Sequence, residues 1–305
     1  MSRDHIIPQF ILRGFAINPT ANKQNQKIMI YDKATKQVHT KKIADTYSLL
    51  NFNSPETEKY LANEYESKVA KIFQRVSKAA SEKQQSISLS NKEYKLLFRF
   101  FVIMWRRNNI QLEKAKEMGI QLENMLKSLF GNYYKEMLKP EYKDYSFEKM
   151  FNEKMGDVRI ALYDKVIPET KDDDPTVLKT IKHYSPFIVN NTSNIHFLLH
   201  NTYSTLRYMV PKSQNEIYAE DIPSIMIYPI SKTLCFCMLL SEKEIDTDKE
   251  EFNISIEVWN NDENVKLHFI DGYITQTAKS FVVDETNIDL IKRLCHNKWL
   301  IFDEK

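Results

Sequence analysis

The chain has 305 residues, of which 42% are hydrophobic and 28% charged, so it is long enough to bury a sizeable core in one large domain or two moderate ones. The formal net charge of +2 argues neither for nor against nucleic-acid binding. Only five glycines are present, and no glycine-rich phosphate-binding motif occurs, which argues against a dinucleotide-binding fold or a phosphate loop.

The apolar segments and the cysteines bear on the cellular compartment. The longest apolar run, Leu96 to Trp105, is interrupted by Arg99 and is too short to span a bilayer, and no cleavable signal precedes it. Three cysteines give no disulfide framework. Cys235 and Cys237 alternate within a strand pattern, so both thiols should point to one face. We therefore expect a cytoplasmic protein without a membrane partner.

The first predicted element is a short helix from about Pro8 to Arg13. Proline suits a helix start, and Gly14 suits the position just past the end. Gln9 and Arg13 then share one helix face, and His5 precedes Gln9 at the same spacing in the incoming chain.

A guanidinium in such apolar surroundings needs an anion or carbonyl groups as partners. One interpretation is that Arg13 ties the N-terminus to an acidic core side chain while His5 and Gln9 satisfy backbone groups. The other is a cluster of His5, Gln9 and Arg13 that binds or transforms an anion. Both interpretations stay open at this point.

Two short strands and a long helix are predicted next. Lys27 to Asp32 and Gln37 to Ile43 form a small hairpin, and Ser54-Pro55 opens a helix that keeps its apolar period to about Lys83. Glu58 in its first turn and Glu66 at the border of its apolar face could partner a buried cation.

A capping box, Ser90 to Glu93, opens the second long helix, which should be the central buried one. For Arg99 we favour pairing with Glu58, Glu66 or backbone ends. For Arg106 and Arg107 an anion-binding role is nearly as well supported as such pairing.

Met118-Gly119 breaks or weakens the central helix, and helical patterns continue over Leu122 to Leu138 and Ser146 to Val166. The polar loop Pro168 to Pro175 is the best domain boundary. It divides a helical region, 1–168, from a strand-rich region, 176–305, that packs on it. Its Asp172-Asp173-Asp174 run reads as a solvated charge cluster.

The second half is rich in strand patterns, which makes the fold class α+β. The N-terminal half is mainly helical with a small hairpin, and the C-terminal half carries an antiparallel or mixed sheet. The predicted elements are strands at Phe187–Val189, His196–Leu199, Ile225–Ile230, Thr233–Leu240, Val265–Ile270 and Trp299–Phe302, short helices at Ala219–Ile222 and within Ile254–Trp259, and a closing helix at Asn287–Lys298.

His196 and His200 have the spacing of a zinc-binding helix, but the glutamate that follows the first histidine in that motif is missing. In a strand the two side chains would lie about 13 Å apart, too far to share a metal. We therefore predict no metal site and no cofactor, although a divalent metal is not excluded.

The opening segment resembles the signature of a bacterial family known only as domain of unknown function 4238, His-x-x-Pro-Gln-Phe-x-Leu-Arg-x-Phe, here spanning His5 to Phe15. Other pieces follow in that family's order, namely Tyr31-Asp32-Lys33, the helix Glu58 to Ser67, Arg106-Arg107, Pro229-Ile230-Ser231 and the helix led by Asn287. The family's Thr-Ser-Asp-Asn-Pro segment is replaced by Leu199 to Tyr203. The resemblance implies a fold and a bacterial context but no established activity.

These elements suggest one polar site: His5, Gln9, Arg13 and Glu66 as catalytic candidates, with Arg106 and Arg107 as anion-binding candidates. Such a set suits phosphodiester or nucleotide chemistry, with histidine as acid or base, arginine on developing charge and glutamine orienting. We expect a nucleic-acid- or nucleotide-acting effector in defence or toxicity. The alternative is a non-enzymatic sensor, or an interaction module that binds a protein partner or a second copy of the chain.

Overall fold

The computed structural model describes residues 3–50, 53–106, 109–140, 143–151, 170–201, 203, 205–208, 223–265 and 278–296. It confirms the α+β class: long helices dominate the N-terminal half, and most strands lie in the C-terminal half. Among the described helices, none is both long and apolar enough to cross a membrane.

Seven α-helices lie within the described residues. Their bounds are α1 Gln9–Arg13, α2 Pro55–Tyr60, α3 Ser67–Ser81, α4 Asn91–Arg106, α5 Asn109–Phe130, α6 Pro175–His183 and α7 Ile288–His296. A π-helical segment, Leu61–Glu66, joins α2 to α3, and a 3₁₀ segment, Gly131–Met137, follows α5.

Twelve strands are described. They are β1 Arg3–His5, β2 Lys27–Asp32, β3 Gln37–Lys42, β4 Ser48–Leu50, β5 Ser86–Ser90, β6 Tyr184–Asn191, β7 Leu199–His200, β8 Thr205–Tyr208, β9 Pro223–Pro229, β10 Leu234–Leu240, β11 Glu251–Trp259 and β12 Ser280–Val283.

The strands form three sheets. A six-stranded sheet has the order β5-β11-β6-β10-β9-β8, a four-stranded sheet the order β3-β2-β12-β7, and β1 pairs with β4. The pairing of β11 with β6 is parallel and the other described pairings are antiparallel, so the larger sheet is mixed.

Strand β10, in the interior of the six-stranded sheet, is buried on both faces along most of its length. On one face, Phe236 and Met238 of β10 join a core with the apolar side chains of α1, α3 and α4. On the other, Cys235 and Cys237 of the same strand join a second core with β12 and α7. The cysteine Sγ atoms lie 3.8 Å apart, which confirms the predicted shared face. Successive side chains of a β-strand point to opposite faces of the sheet, so one strand contributes to both cores.

The predicted helix starts are confirmed by their caps. The Ser54 side chain accepts a hydrogen bond from the Thr57 backbone N–H, with Pro55 in the first turn. At the start of α4, the Ser90 N–H donates to a Glu93 carboxylate oxygen at 3.0 Å. Both contacts satisfy backbone N–H groups at a helix start, which have no partner within the helix.

Some predicted elements differ from the structure. The segment within Ile254–Trp259 is not a helix but part of β11, where it lies between β6 and β5 and buries alternate side chains. β5 was not predicted, and His196 precedes β7 instead of lying in a strand. Met118-Gly119 does not break α5, which continues to Phe130. A Cβ atom at Gly119 would lie 2.1 Å from the Phe147 ring, so this position packs closely against that ring.

Several predictions fall on other parts of the chain. The strands at Val265–Ile270 and Trp299–Phe302, the helix at Ala219–Ile222 and most of the helix at Ser146–Val166 lie outside the described residues. Elements of both halves exchange contacts: β5 pairs with β11, and β2 pairs with β12. The division into regions 1–168 and 176–305 stays a prediction.

Candidate functional site

The opening segment forms a chain of three hydrogen bonds. The His5 imidazole contacts the Ile43 carbonyl oxygen through Nε2 at 3.2 Å. Gln9 Nε2 lies 3.4 Å from His5 Nδ1, and Arg13 Nη2 donates to Gln9 Oε1 at 2.8 Å. Because a carbonyl oxygen can only accept and an amide nitrogen can only donate, Nε2 carries the proton and Nδ1 accepts. The predicted four-residue spacing therefore does bring these three side chains together.

Helix α1 sets this geometry with very few residues. Ile11 and Leu12 are fully buried in the core, which turns Gln9 and Arg13 toward the half-buried side of the helix. Pro8 occupies the N-cap with an extended backbone, one position earlier than predicted, and Gly14 ends the helix. The polar chain is thus held at the edge of the core by the apolar face of α1.

Arg13 differs from an ordinary structural arginine. It is half-buried, its Nε has no hydrogen-bond partner, and it makes no ion pair with any described carboxylate, including Glu58 and Glu66. Burial lowers the pKa of the Arg13 guanidinium from its ordinary value. A guanidinium nevertheless keeps its charge at neutral pH, so this positive charge is partly desolvated and lacks a compensating anion within the described residues.

His5 is less suited to proton transfer than its sequence context suggests. Both ring nitrogens already take part in hydrogen bonds, one with Gln9 and one with the Ile43 carbonyl. For Nδ1 to accept a proton from a substrate, the contact with Gln9 must first break. The arrangement indicates that His5 and Gln9 orient the Arg13 guanidinium through these hydrogen bonds.

Gly14 connects the opening segment to a second segment of the family pattern. A Cβ atom at Gly14 would lie 2.4 Å from the Ile230 carbonyl oxygen, closer than packed atoms approach. The Gly14 carbonyl accepts a hydrogen bond from the Lys232 N–H at 3.1 Å. Ser231 closes the β9–β10 turn by accepting from the Leu234 N–H at 2.9 Å. The Pro229-Ile230-Ser231 turn therefore packs directly against the end of α1.

Glu66, the remaining catalytic candidate, ends the π-helical segment before α3 and is half-buried. The hydrogen-bond chain from His5 to Arg13 is made without it. π-Helical turns are often found at functional sites, so its placement keeps Glu66 as a candidate without joining it to the chain.

Arg106 has a complete set of protein partners. Its guanidinium forms a two-pronged ion pair with Asp174, at 2.8 and 3.0 Å, and also donates to the hydroxyls of Thr170 and Thr176. An external anion would have to displace Asp174. Arg107, the other anion-binding candidate, lies outside the described residues.

Arg99 also has an acidic partner other than the predicted glutamates. Its guanidinium lies 3.2 Å from Asp172 and packs over the ring of Tyr65 at 4.9 Å. The expectation of a solvated acidic run at 172–174 is therefore wrong for Asp174, whereas Asp172 is exposed although it pairs with Arg99. Asp174 caps α6, followed by Pro175 at the first position. This Asp-Pro helix-start signature was the available signal for a structural role.

The ionisation of Asp174 follows from its surroundings. Desolvation by burial raises the pKa of its carboxyl group, but the hydrogen bonds from Arg106 and from the Thr176 and Val177 amides outweigh this effect and hold the pKa below its ordinary value. Asp174 is therefore ionised at neutral pH and joins α4 to α6.

The two histidines with zinc-like spacing have separate roles. His196 Nδ1 lies 2.6 Å from an Asp284 carboxylate oxygen, whereas His200 is buried in β7. Within the described ranges, no three His, Cys, Asp or Glu side chains are grouped as metal ligands. Sequence reasoning missed the pair of His196 and Asp284, because the partners are 88 positions apart.

A surface groove of about 260 Å³ lies at a different place, between the end of α3 and β5. Neither the opening segment nor Glu66 contributes to its lining. The lining residues are Arg75, Lys78, Ala79, Glu82, Gln84, Ser86, Ile87 and Ser88.

Comparison with other proteins places the chain in a family. No curated protein and no solved structure gave a match. The family model described as "Protein of unknown function (DUF4238)" matches residues 3–305, which includes the α1 segment, the β9–β10 turn and α7. The chain belongs to this family of proteins of unknown function.

Proposed function

We propose that the protein binds a phosphate-bearing ligand, a nucleotide or a nucleic acid, at Arg13. The observation that carries the proposal is a half-buried guanidinium that has no carboxylate within ion-pair distance among the described residues and whose buried Nε has no hydrogen-bond partner. A desolvated cation without an internal anion is expected to gain free energy from an external one.

Phosphate suits Arg13 because of the shape of its donor set. A guanidinium presents parallel N–H groups that match two oxygens of a phosphate, and charge-assisted bonds of this kind are among the strongest in proteins. Gln9 holds Nη2 at 2.8 Å, so the plane of the guanidinium is oriented before the ligand arrives. Pre-orientation lowers the entropy lost on binding.

Cleavage of the bound ligand, as by an effector in bacterial defence or toxicity, is the second candidate function. His5 does not favour it, since both of its nitrogens are engaged. The specific observation in its favour is the half-exposed His196 paired with the buried Asp284. A sensor that binds without turnover is the corresponding alternative, and the two share the Arg13 contact.

Titration calorimetry of the full chain tests the binding proposal. Inorganic phosphate, a ribonucleoside triphosphate and a short oligonucleotide should be titrated into the wild type and into Arg13→Gln. We expect Arg13→Gln to weaken binding at least tenfold, because hydrogen bonds to charged groups contribute about 1.5–3 kcal/mol.

Arg75→Gln is the matched control. Arg75 is an exposed arginine of α3 that pairs with Glu93, so its loss should leave the affinity unchanged. Equal affinity of Arg13→Gln and wild type, or no binding of any of the three ligands, would contradict the proposal. Melting temperatures measured in parallel separate lost binding from lost folding.

A further inference from the structure

A second polar cluster lies at the junction of the β9–β10 turn, the loop before β7 and the start of α7. Asp284 is buried there, and its carboxylate lies 2.6 Å from His196 Nδ1 and 3.8 Å from Lys232 Nζ. We call His196, Asp284 and Lys232 the β7-loop cluster. None of its members belongs to the chain of His5, Gln9 and Arg13.

The hydrogen bonds fix the orientation of the carboxylate. Asp284 Oδ1 accepts from the Thr286 N–H at 2.9 Å and from the Thr286 hydroxyl at 2.7 Å, which leaves Oδ2 for His196. Asn287 accepts from the Asp284 N–H at 2.9 Å and donates to the His196 carbonyl at 3.2 Å. The two backbones that carry the histidine and the aspartate are therefore held together independently of their side chains.

The same contacts show which nitrogen of the His196 imidazole donates a hydrogen bond to Asp284. Desolvation raises the pKa of Asp284, but the hydrogen bonds from Thr286 and His196 outweigh it and keep the pKa low. An ionised carboxylate only accepts hydrogen bonds, so Nδ1 carries a proton, and in the neutral imidazole Nε2 carries the lone pair. His196 is half-exposed, and its Nε2 makes no hydrogen bond with any described residue.

Lys232 adds a positive charge next to this pair. Its backbone is clamped on both sides: its N–H donates to Gly14 at 3.1 Å, and its carbonyl accepts from the Phe197 N–H at 2.8 Å. Among the described residues, Asp262 also contacts this loop, where it accepts a hydrogen bond from the Asn194 N–H at 2.8 Å. The cluster thus offers one proton acceptor and one cation on a rigid backbone.

These groups limit the chemistry that the cluster can perform. It contains a base and a cation, and the Thr286 hydroxyl donates to Asp284 instead of to His196. A base and a cation suffice when the substrate carries its own nucleophile next to an anionic centre. RNA meets this condition, because each ribose 2′-hydroxyl adjoins a phosphodiester.

We propose that His196, positioned by Asp284 and accompanied by Lys232, is the general base of a site that cleaves RNA. The proposal rests on the phosphate-bearing ligand proposed for Arg13. His196 Nε2 takes the 2′-hydroxyl proton, the O2′–P bond forms and the P–O5′ bond breaks. The leaving oxygen takes a proton from water, and the imidazolium returns its proton to solvent. The products are a 2′,3′-cyclic phosphate and a 5′-hydroxyl end.

The test uses the full chain and a DNA oligonucleotide that contains a single ribonucleotide, with the all-DNA oligonucleotide as control. Cleavage is expected only at the ribonucleotide. His196→Gln should lower kcat at least a hundredfold, the lower range of general acid–base contributions, with binding unchanged. His296→Gln, an exposed histidine of α7 that contacts a carbonyl of its own helix, is the matched control and should cleave at the wild-type rate.

Asp284 is a positioning residue, so its test needs a readout beyond activity. In Asp284→Asn, kcat should fall with KM unchanged, and the ¹⁵N resonances of His196 should show loss of the Nδ1–H tautomer. A measurement on the unaltered chain covers the case in which variants unfold: uridine 3′-monophosphate should shift the His196 Nε2 resonance.

The outcomes separate this inference from the binding proposal. Oligonucleotides that bind but stay intact, equal cleavage by His196→Gln, or an unmoved Nε2 resonance would overturn the inference and leave binding at Arg13 in place. If neither oligonucleotide binds, this inference falls. The binding proposal for Arg13 falls with it only if inorganic phosphate and the ribonucleoside triphosphate also fail to bind. Cleavage that is lost in His196→Gln, retained in His296→Gln and confined to the ribonucleotide supports the inference.

Discussion

Arg106 and Arg13 are both half-buried arginines at the end of a helix, yet their surroundings are opposite. Arg106 has a two-pronged carboxylate and two hydroxyls as partners, whereas Arg13 has one glutamine and an Nε without any partner. Removing one partner of a buried ion pair is costly, whereas a partly desolvated cation without an internal anion gains free energy from an external one. Arg106 is therefore a structural arginine, whereas Arg13 is a candidate binding residue.

Removal of the Arg106 guanidinium should have the largest effect on stability. Arg106→Ala leaves Asp174 half-buried without its counter-ion, and breaking a buried ion pair costs about 3 kcal/mol or more. Urea denaturation should show the loss as a lower midpoint. Asp173→Ala, which changes the exposed acid next to Asp174, should stay within about 0.5 kcal/mol of wild type. An equal loss in both variants would contradict the structural role of Arg106.

Acid should weaken the same contact. The pKa of Asp174 is lower in the folded chain than its ordinary value, so its contribution is fully present above the unfolded pKa of about 3.9 and is lost as pH falls through the folded value. The free energy of unfolding of Asp174→Asn should therefore fall less steeply below about pH 4 than that of wild type. Parallel curves would show that Asp174 does not carry the acid sensitivity.

Removal of the Arg13 charge should have the smallest effect on stability. Arg13→Met deletes a desolvated charge that has no carboxylate partner among the described residues. The free energy of unfolding should therefore fall by no more than about 0.5 kcal/mol, or increase. Thermal and urea unfolding measure it. A loss as large as that of Arg106→Ala would show that Arg13 is a structural residue.

The local signals in the sequence predicted much of the fold. Ser54-Pro55 and the Ser90–Glu93 capping box mark helix starts through contacts between near neighbours, and the β2–β3 hairpin is equally local. β11 was predicted in part as a helix because its character depends on pairing with β6 and β5, which are far away in the chain.

The candidate site was predictable to the same extent. The spacing of His5, Gln9 and Arg13 showed that they meet, because all three lie within two turns of one short segment. Contacts over long separations were not visible: Arg106 with Asp174, and His196 with Asp284. The sequence therefore indicated which residues are polar and buried, but not which of the arginines already had an anion.

NMR of the arginine Nε–H groups tests the distinction between the two arginines most directly. Inorganic phosphate and then a ribonucleotide are added to the ¹⁵N-labelled full chain while the assigned Arg13 and Arg106 resonances are followed. We predict a saturable shift of the Arg13 Nε–H resonance and none at Arg106. An unmoved Arg13 resonance, or shifts of equal size at both residues, would contradict the account.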